Sequence, residues 1–393
     1  MGSAVKIAAM IISVSAGASG LAQTRREAAV AIDRIDVPPA DRLQLDVLAS
    51  PLRHPWSMAF LPDGAILLTE KHHGLRILRA DHSLSPLLPG APTNVLVKED
   101  SGFLDLALDP GFASNRTIYL AFAEGTEESN RTAIWKAQLK GEQLTGGRII
   151  FRSNVAKKGS SHPGGRLLFL ADQTLLFTVG DGFDYRDAAQ DMRSHLGKVL
   201  RLTRDGGPAP DNPYISRKDV AREIFTAGHR NIQGLTLDPL TGLIWAHEHG
   251  PRGGDEVNQL IAGKNYGWPA VSYGIDYDGT VITERAVDPR FERPRIVWAP
   301  SIAPSGLSIY RGARYPGWDG RFLVGALAAK SLVRVRIGKD STFLVEEERL
   351  LTGLRKRIRD VRTGPDGLIY LLTDEDSGQL LRIVPATAAA DRL

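Results

Sequence analysis

G-L-T-L-D-P-L-T-G-L-I-W-A-H, residues 234–247, reads as a hairpin in which one apolar strand enters, D-P-L-T-G turns, and a second apolar strand leaves. The pattern returns in Phe60 to Glu70 (F-L-P-D-G-A-I-L-L-T-E), Phe169 to Asp181 (F-L-A-D-Q-T-L-L-F-T-V-G-D) and Gly364 to Asp374 (G-P-D-G-L-I-Y-L-L-T-D). Looser copies run from Leu106 to Phe122, around D-P-G-F-A-S-N-R, and from Ile309 to Ala326, around P-G-W-D-G. That makes six units, roughly 50 to 75 residues apart, a period wider than most solenoids and typical of propeller blades. The expectation is an all-β, six-bladed β-propeller.

Composition agrees. Forty glycines and twenty-three prolines in 393 residues suit a chain of tight turns, and a closed β architecture of this length forms one domain. The net charge of +4 is spread along the chain, and the one basic run, R-K-R at 355–357, is short, so nucleic acid is not an expected partner. Absence of cysteine excludes disulfides and thiol chemistry. Lys6 precedes an apolar, small-residue run from Ile7 to Ala18, and G-L-A-Q at 20–23 offers a cleavage site. Residues 1–22 therefore read as a bacterial secretion signal, 23–42 as a charged lead-in, 43–385 as the propeller and 386–393 as a tail. The apolar run is too short to span a bilayer, so the expectation is a periplasmic or secreted protein, without stable membrane insertion, acting as a monomer or homodimer.

Four stretches gather groups that are costly to bury without a purpose. G-H-R-N-I-Q-G-L (228–235) and H-E-H-G-P-R-G-G-D-E (247–256) bring His229, Arg230, Asn231, His247, Glu248, His249, Asp255 and Glu256 to strand ends, among glycines that let backbone approach a ligand. S-H-P-G-G-R (161–166) presents His162 beside a light backbone just before a strand; a structural, hydrogen-bonded histidine is the alternative. In R-I-R-D-V-R-T-G-P-D-G (357–367), Arg357 and Arg359 lie two apart and face one side of a strand. Two guanidiniums on one face repel unless an anion sits between them, which points to a carboxylate or phosphate clamp; edge-strand gatekeeping remains the alternative.

With N-Y-G-W-P at 265–269 and R-x-R-D-V before a P-D-G hairpin, these stretches occur in one order that resembles the soluble pyrroloquinoline quinone (PQQ)-dependent aldose sugar dehydrogenases, within the soluble glucose dehydrogenase and sorbosone dehydrogenase-like family. The resemblance runs from about Leu43 to Ile383. It implies that His162 is the general base, that Arg230 sits beside the reactive quinone carbonyl, and that Asn231 and Ser301 contact the cofactor. It implies further that Arg357 and Arg359 hold the carboxylates of PQQ, and that the carbonyls of Gly250 and Pro251 hold the calcium that PQQ chelates. Trp298 matches an aromatic at the mouth; packing between blades is its alternative. Glu256, Tyr266 and Tyr277 match the spacing of a second, structural calcium, against which Asp255 and Glu256 could simply brace the loop.

Two departures stand out. Asp100 replaces a substrate-facing glutamine, and in G-A-L-A-A-K the family's cofactor lysine is Ala328, with Lys330 two residues later. Either the loop bulges so that Lys330 reaches PQQ, or the contact is lost. The implied reaction is removal of the C1 hydroxyl proton of an aldose by His162 with hydride transfer to C5 of PQQ, giving a lactone, with electrons leaving to a separate acceptor. A calcium-dependent lactonase-type hydrolase would explain the histidine but not the paired arginines, and a non-catalytic carbohydrate-binding propeller would leave the buried charges idle.

Overall fold

The structure, a computed structural model, describes residues 33–36, 43–339 and 341–385. The secretion signal and the tail expected from the sequence lie outside the described residues. Within them the chain forms six antiparallel sheets around one axis, a six-bladed β-propeller. Each hairpin expected from the sequence is the turn between the innermost strand of a blade and the next one out. The innermost strands are Pro55–Phe60, Phe103–Leu108, Gly164–Phe169, Ile232–Leu237, Pro304–Ile309 and Ile358–Thr363, and each packs against the next until the last meets the first. Second strands such as Ile66–Glu70, Leu175–Val179 and Ile369–Thr373 are buried at every residue, because each sheet lies between two others. Their short, continuous apolar runs are what such a position demands.

The ring closes by strand exchange. Leu43–Leu52 pairs with Gly378–Pro385 (Leu45 opposite Ile383), so the two ends of the chain share the last blade and no open edge is left between first and last blades. The lead-in is not wholly loose: Asp33–Asp36 adds a further strand outside Leu43–Leu52.

Two features repeat in all six blades and position the site. Each innermost strand shifts register against its neighbour near its start, at Pro55/Ser57, Phe103/Leu106, Gly164/Leu167, Ile232/Gly234, Ser305/Leu307 and Ile358/Asp360. A bulge re-aims the residues that precede it, and here these residues crowd onto one face of the ring. The first or second residue past each second strand, or its last turn, also bonds inward: the N–H groups of Lys71, Gly180, His249, Leu327 and Asp374 donate to the carbonyls of His54, Pro163, Asn231, Ala303 and Arg357. Ala123 and Gly102 make the same bond in the second blade. These pairs form two concentric rings of equivalent positions around the axis.

Below that face the channel is closed by charge. Arg166 bonds Asp360 at 2.9 Å, Arg362 bonds Asp360 at 2.9 Å and Asp105 at 2.7 Å, and Ser57 donates to Asp105 at 2.5 Å. Two guanidiniums and two carboxylates from three blades balance one another. Arg166 also stacks on Trp56, with its guanidinium carbon 4.1 Å from the ring centre.

Candidate active site

His162 sits just before the innermost strand of the third blade with a left-handed backbone (φ 52°). Two residues on, Gly164 must be glycine: a side chain there would begin 2.6 Å from the backbone nitrogen of Gly180. His162 Nδ1 lies 2.7 Å from Asp181 Oδ1. Asp181 is fully buried, and it also accepts from Trp268 Nε1 at 2.8 Å and from the Phe183 N–H at 2.9 Å. A carboxylate that accepts from every neighbour fixes the imidazole proton on Nδ1. Nε2 is left as a lone pair, and it has no hydrogen bond among the described residues. Phe183 packs edge-on to the imidazole, 5.0 Å between ring centres. Asp181 is the functional residue that sequence reasoning missed; its signal was the T-V-G-D-G strand end, which puts an acidic group in the same blade as His162.

The fourth blade supplies Arg230. Glu248, buried, accepts from the Arg230 backbone N–H at 2.5 Å and from His229 Nδ1 at 2.8 Å, while His229 Nε2 meets Thr226 Oγ1 at 2.9 Å. His229 is thereby a brace. The Arg230 guanidinium reaches over the following loop and donates to the carbonyls of Gly250 (2.7 Å) and His249 (3.2 Å) and to the Tyr277 hydroxyl (3.4 Å). Asn231 Oδ1 accepts from the Gly164 N–H at 3.2 Å and from Gln233 Nε2 at 3.1 Å, tying the third and fourth blades together. His247 is structural: it bonds the Gly306 carbonyl at 3.0 Å, and burial pushes its imidazole down to about 3. Gly234 makes room for that ring, since a Cβ there would lie 2.2 Å from His247 Nε2.

The loop from Gly250 to Asp255 is held from within. Asp255 accepts from the N–H groups of Gly250 (2.9 Å), Ile302 (2.7 Å) and Ala303 (2.8 Å) and from Ser301 Oγ (3.1 Å). Ser301 also reaches the Pro251 carbonyl at 3.4 Å. Ser301 and Asp255 are therefore loop braces in this structure. Behind the loop a cavity of about 20 Å³ is lined by Glu248, Gly250, Pro251, Glu256 and Tyr266. Asn258 Nδ2 bridges the two carboxylates at 3.2 Å each, and burial followed by the charge of Glu248 pushes Glu256 up to about 8. Tyr277 does not line that cavity; its side chain, 57 % exposed, stands at the rim against Arg230 and Phe183.

The sixth blade supplies the arginine pair. Arg359 is buried; it bonds Asp374 through Nη2 and approaches Gln233 Oε1 and Ser305 Oγ at 3.3 Å through Nη1, while its Nε has no partner. Arg357, just before the strand, is 3.5 Å from the same Asp374 oxygen. The anion expected between the two guanidiniums is in part this aspartate. Burial pushes its carboxyl up, but Arg359 and His54 hold it well below the usual carboxylate range. Arg357, Arg359, Asn231, His249, Trp56 and Asp100 line a central cavity of about 100 Å³, with Asp100 exposed at its rim.

Two expectations are corrected. Trp298 is not at the mouth. It ends the outermost strand of the fourth blade, is buried against the fifth, and donates from Nε1 to Glu346 Oε2 at 2.7 Å. The aromatic residues around His162 are Trp268, Phe183 and Tyr277 instead. Lys330 neither bulges inward nor continues the strand: residues 327–330 form a turn, and Lys330 is exposed with a left-handed φ of 49°. Leu327 is the residue of that turn that lines the central cavity.

Fold and site together define a propeller that holds a buried His–Asp pair beside a cation-walled axial cavity. Residues 52–382 match the Glucose / Sorbosone dehydrogenase family, and the chain belongs to it. Aldose sugar dehydrogenase YliI of Escherichia coli (strain K12) is 39% identical over 349 residues, covering 87% of this chain and 93% of that protein. A glucose dehydrogenase crystal structure superposes with a TM-score of 0.83 at 41% identity, covering 87% of this chain and 99% of that one. The PQQ-bound aldose sugar dehydrogenase of Streptomyces coelicolor gives 0.67 at 27% identity, over 87% and 98% of the two chains.

Proposed function

We propose that the protein oxidises aldose sugars at C1 to lactones with PQQ, passing the electrons to a separate acceptor. The observation that carries this reading is the His162–Asp181 pair, whose next two residues after the histidine, Pro163 and Gly164, line the cavity of Arg357 and Arg359. A hydrolase would need the histidine but has no use for a buried guanidinium with a vacant Nε.

The residues fit the cofactor. Arg357 and Arg359 are cations suited to its carboxylates, Asn231 lines the same cavity, and Arg230 donates to the Gly250 carbonyl. The chemistry that PQQ supplies when bound is two-electron acceptance at its C5 carbonyl. His162 Nε2 takes the proton of the C1 hydroxyl, and Asp181 stabilises the imidazolium that results. Arg230 stabilises negative charge as the sugar is oxidised. Asp100 at the rim is positioned to accept from sugar hydroxyls. Among the described residues no three His, Asp or Glu side chains gather as a metal site, so calcium would be held largely by carbonyl oxygens, those of Gly250 and Pro251. A second calcium behind the loop would relieve the repulsion between Glu248 and Glu256, with Tyr266 beside it.

No helix among the described residues is long and apolar enough to cross a membrane. We place the protein in the periplasm or outside the cell on the N-terminal signal, as a monomer or homodimer. The test is turnover: the purified protein reconstituted with PQQ and calcium should reduce an artificial electron acceptor with glucose, galactose or other aldoses and release the lactone. Acceptor reduction that is independent of sugar, or hydrolysis of added lactone without it, would overturn the proposal.

A further inference from the structure

We propose that Lys71 binds the cofactor as the third cation of the cradle formed by Arg357 and Arg359; this rests on the PQQ reading above. The argument begins with the ring of equivalent positions. Lys71 makes the same inward backbone bond as His249, Leu327 and Asp374. His249 and Leu327 line the central cavity, and Asp374 bonds Arg359 at its edge. Lys71 occupies that seat in the first blade, next to the blade that carries both arginines. Its counterpart in the fifth blade is the apolar Leu327, and Lys330 beyond it is turned to solvent.

The side chain is largely buried and short of polar partners within the protein. Lys71 is 7% exposed, yet its ammonium has no hydrogen bond or ion pair among the described residues. A largely buried ammonium with no hydrogen-bond partner in the protein is costly. Burial, then Arg359 and more weakly Arg357, lowers its pKa, against the pull of Asp374 and Asp100. These four neighbours are the mouth, so the charge acts there. Gly102 lets the backbone of Lys71 approach and its stem pass: a Cβ there would lie 2.0 Å from the Lys71 carbonyl oxygen and 3.0 Å from its Cγ. Lys71, Arg357 and Arg359 set three positive charges against Asp374 and the exposed Asp100, and an anionic cofactor completes the balance.

The test is a PQQ titration of the apoprotein, read by quenching of tryptophan fluorescence, since Trp56 lines the cavity. Lys71→Met should weaken PQQ binding by about tenfold or more, the scale of one charge-assisted contact, while Lys71→Arg stays within about threefold of the parent. Lys330→Met should bind as the parent does. The apoprotein of Lys71→Met should melt no lower than the parent, because the substitution removes an unpaired buried charge; a structural lysine would behave the opposite way. Parental affinity in Lys71→Met, or a loss of affinity accompanied by a lowered melting point, overturns the inference alone. A parent that fails to bind PQQ overturns the cofactor reading and the inference with it.

Discussion

The propeller carries two clusters of buried charge along its axis, and they differ in one respect. In the channel, Arg166 and Arg362 meet Asp105 and Asp360, two against two, and each charge has an opposite partner within 2.9 Å. At the mouth, Arg357 and Arg359 share Asp374, Arg359 Nε is bare, and the Lys71 ammonium has no hydrogen bond or ion pair among the described residues. The same residue types thus serve two ends. A closed, neutral network joins blades and shuts the channel, whereas an open one with surplus cations is a receiver for an anion.

Breaking each cluster should separate the two roles. Arg166→Met leaves Asp105 and Asp360 facing a single guanidinium in the interior, and the loss of one partner of a buried pair costs about 3–5 kcal/mol. Denaturant unfolding should show that loss, with PQQ affinity in the still-folded fraction little changed. Unaltered stability would mean the channel network is not structural. Arg359→Met should do the reverse. Asp374 keeps His54, at 2.8 Å, and Arg357, so the fold is less affected. PQQ binding should weaken by about 1.5–3 kcal/mol, the worth of a hydrogen bond to a charged group. An unchanged titration would return Arg359 to a purely structural role.

The two regions were not equally legible in the sequence. All six hairpins could be read because turn chemistry and strand periodicity are local, and D-P-L-T-G or L-P-D-G announces itself within five residues. The strand exchange that closes the ring joins Leu45 to Ile383, and no local pattern marks it. In the site, His162, Arg230 and the arginine pair were visible as clusters of costly groups. Asp181 was not, because its role exists only through contact with His162 across a blade turn. Trp298 was expected at the mouth for a related reason: whether a tryptophan faces the mouth or packs between blades depends on whether its segment is an outer strand, as Ile296–Trp298 is, and no local pattern marks that. Lys330 was decided by a turn whose left-handed residue is a lysine, a conformation that composition disfavours. Lys71 escaped notice because its importance comes from six-fold equivalence, which only the pairing of strands reveals.

The most direct test of the account is a single turnover without an electron acceptor. Protein loaded with PQQ and calcium, mixed anaerobically with excess aldose, should lose the absorbance of the oxidised quinone in one rapid phase, with one lactone formed per bound cofactor. His162→Ala should bind PQQ as the parent does and carry out that phase about 100-fold to 10,000-fold more slowly, the range a positioned general base contributes. A His162→Ala protein that bleaches at the parental rate, or a parent whose quinone spectrum is unmoved by sugar, would contradict it.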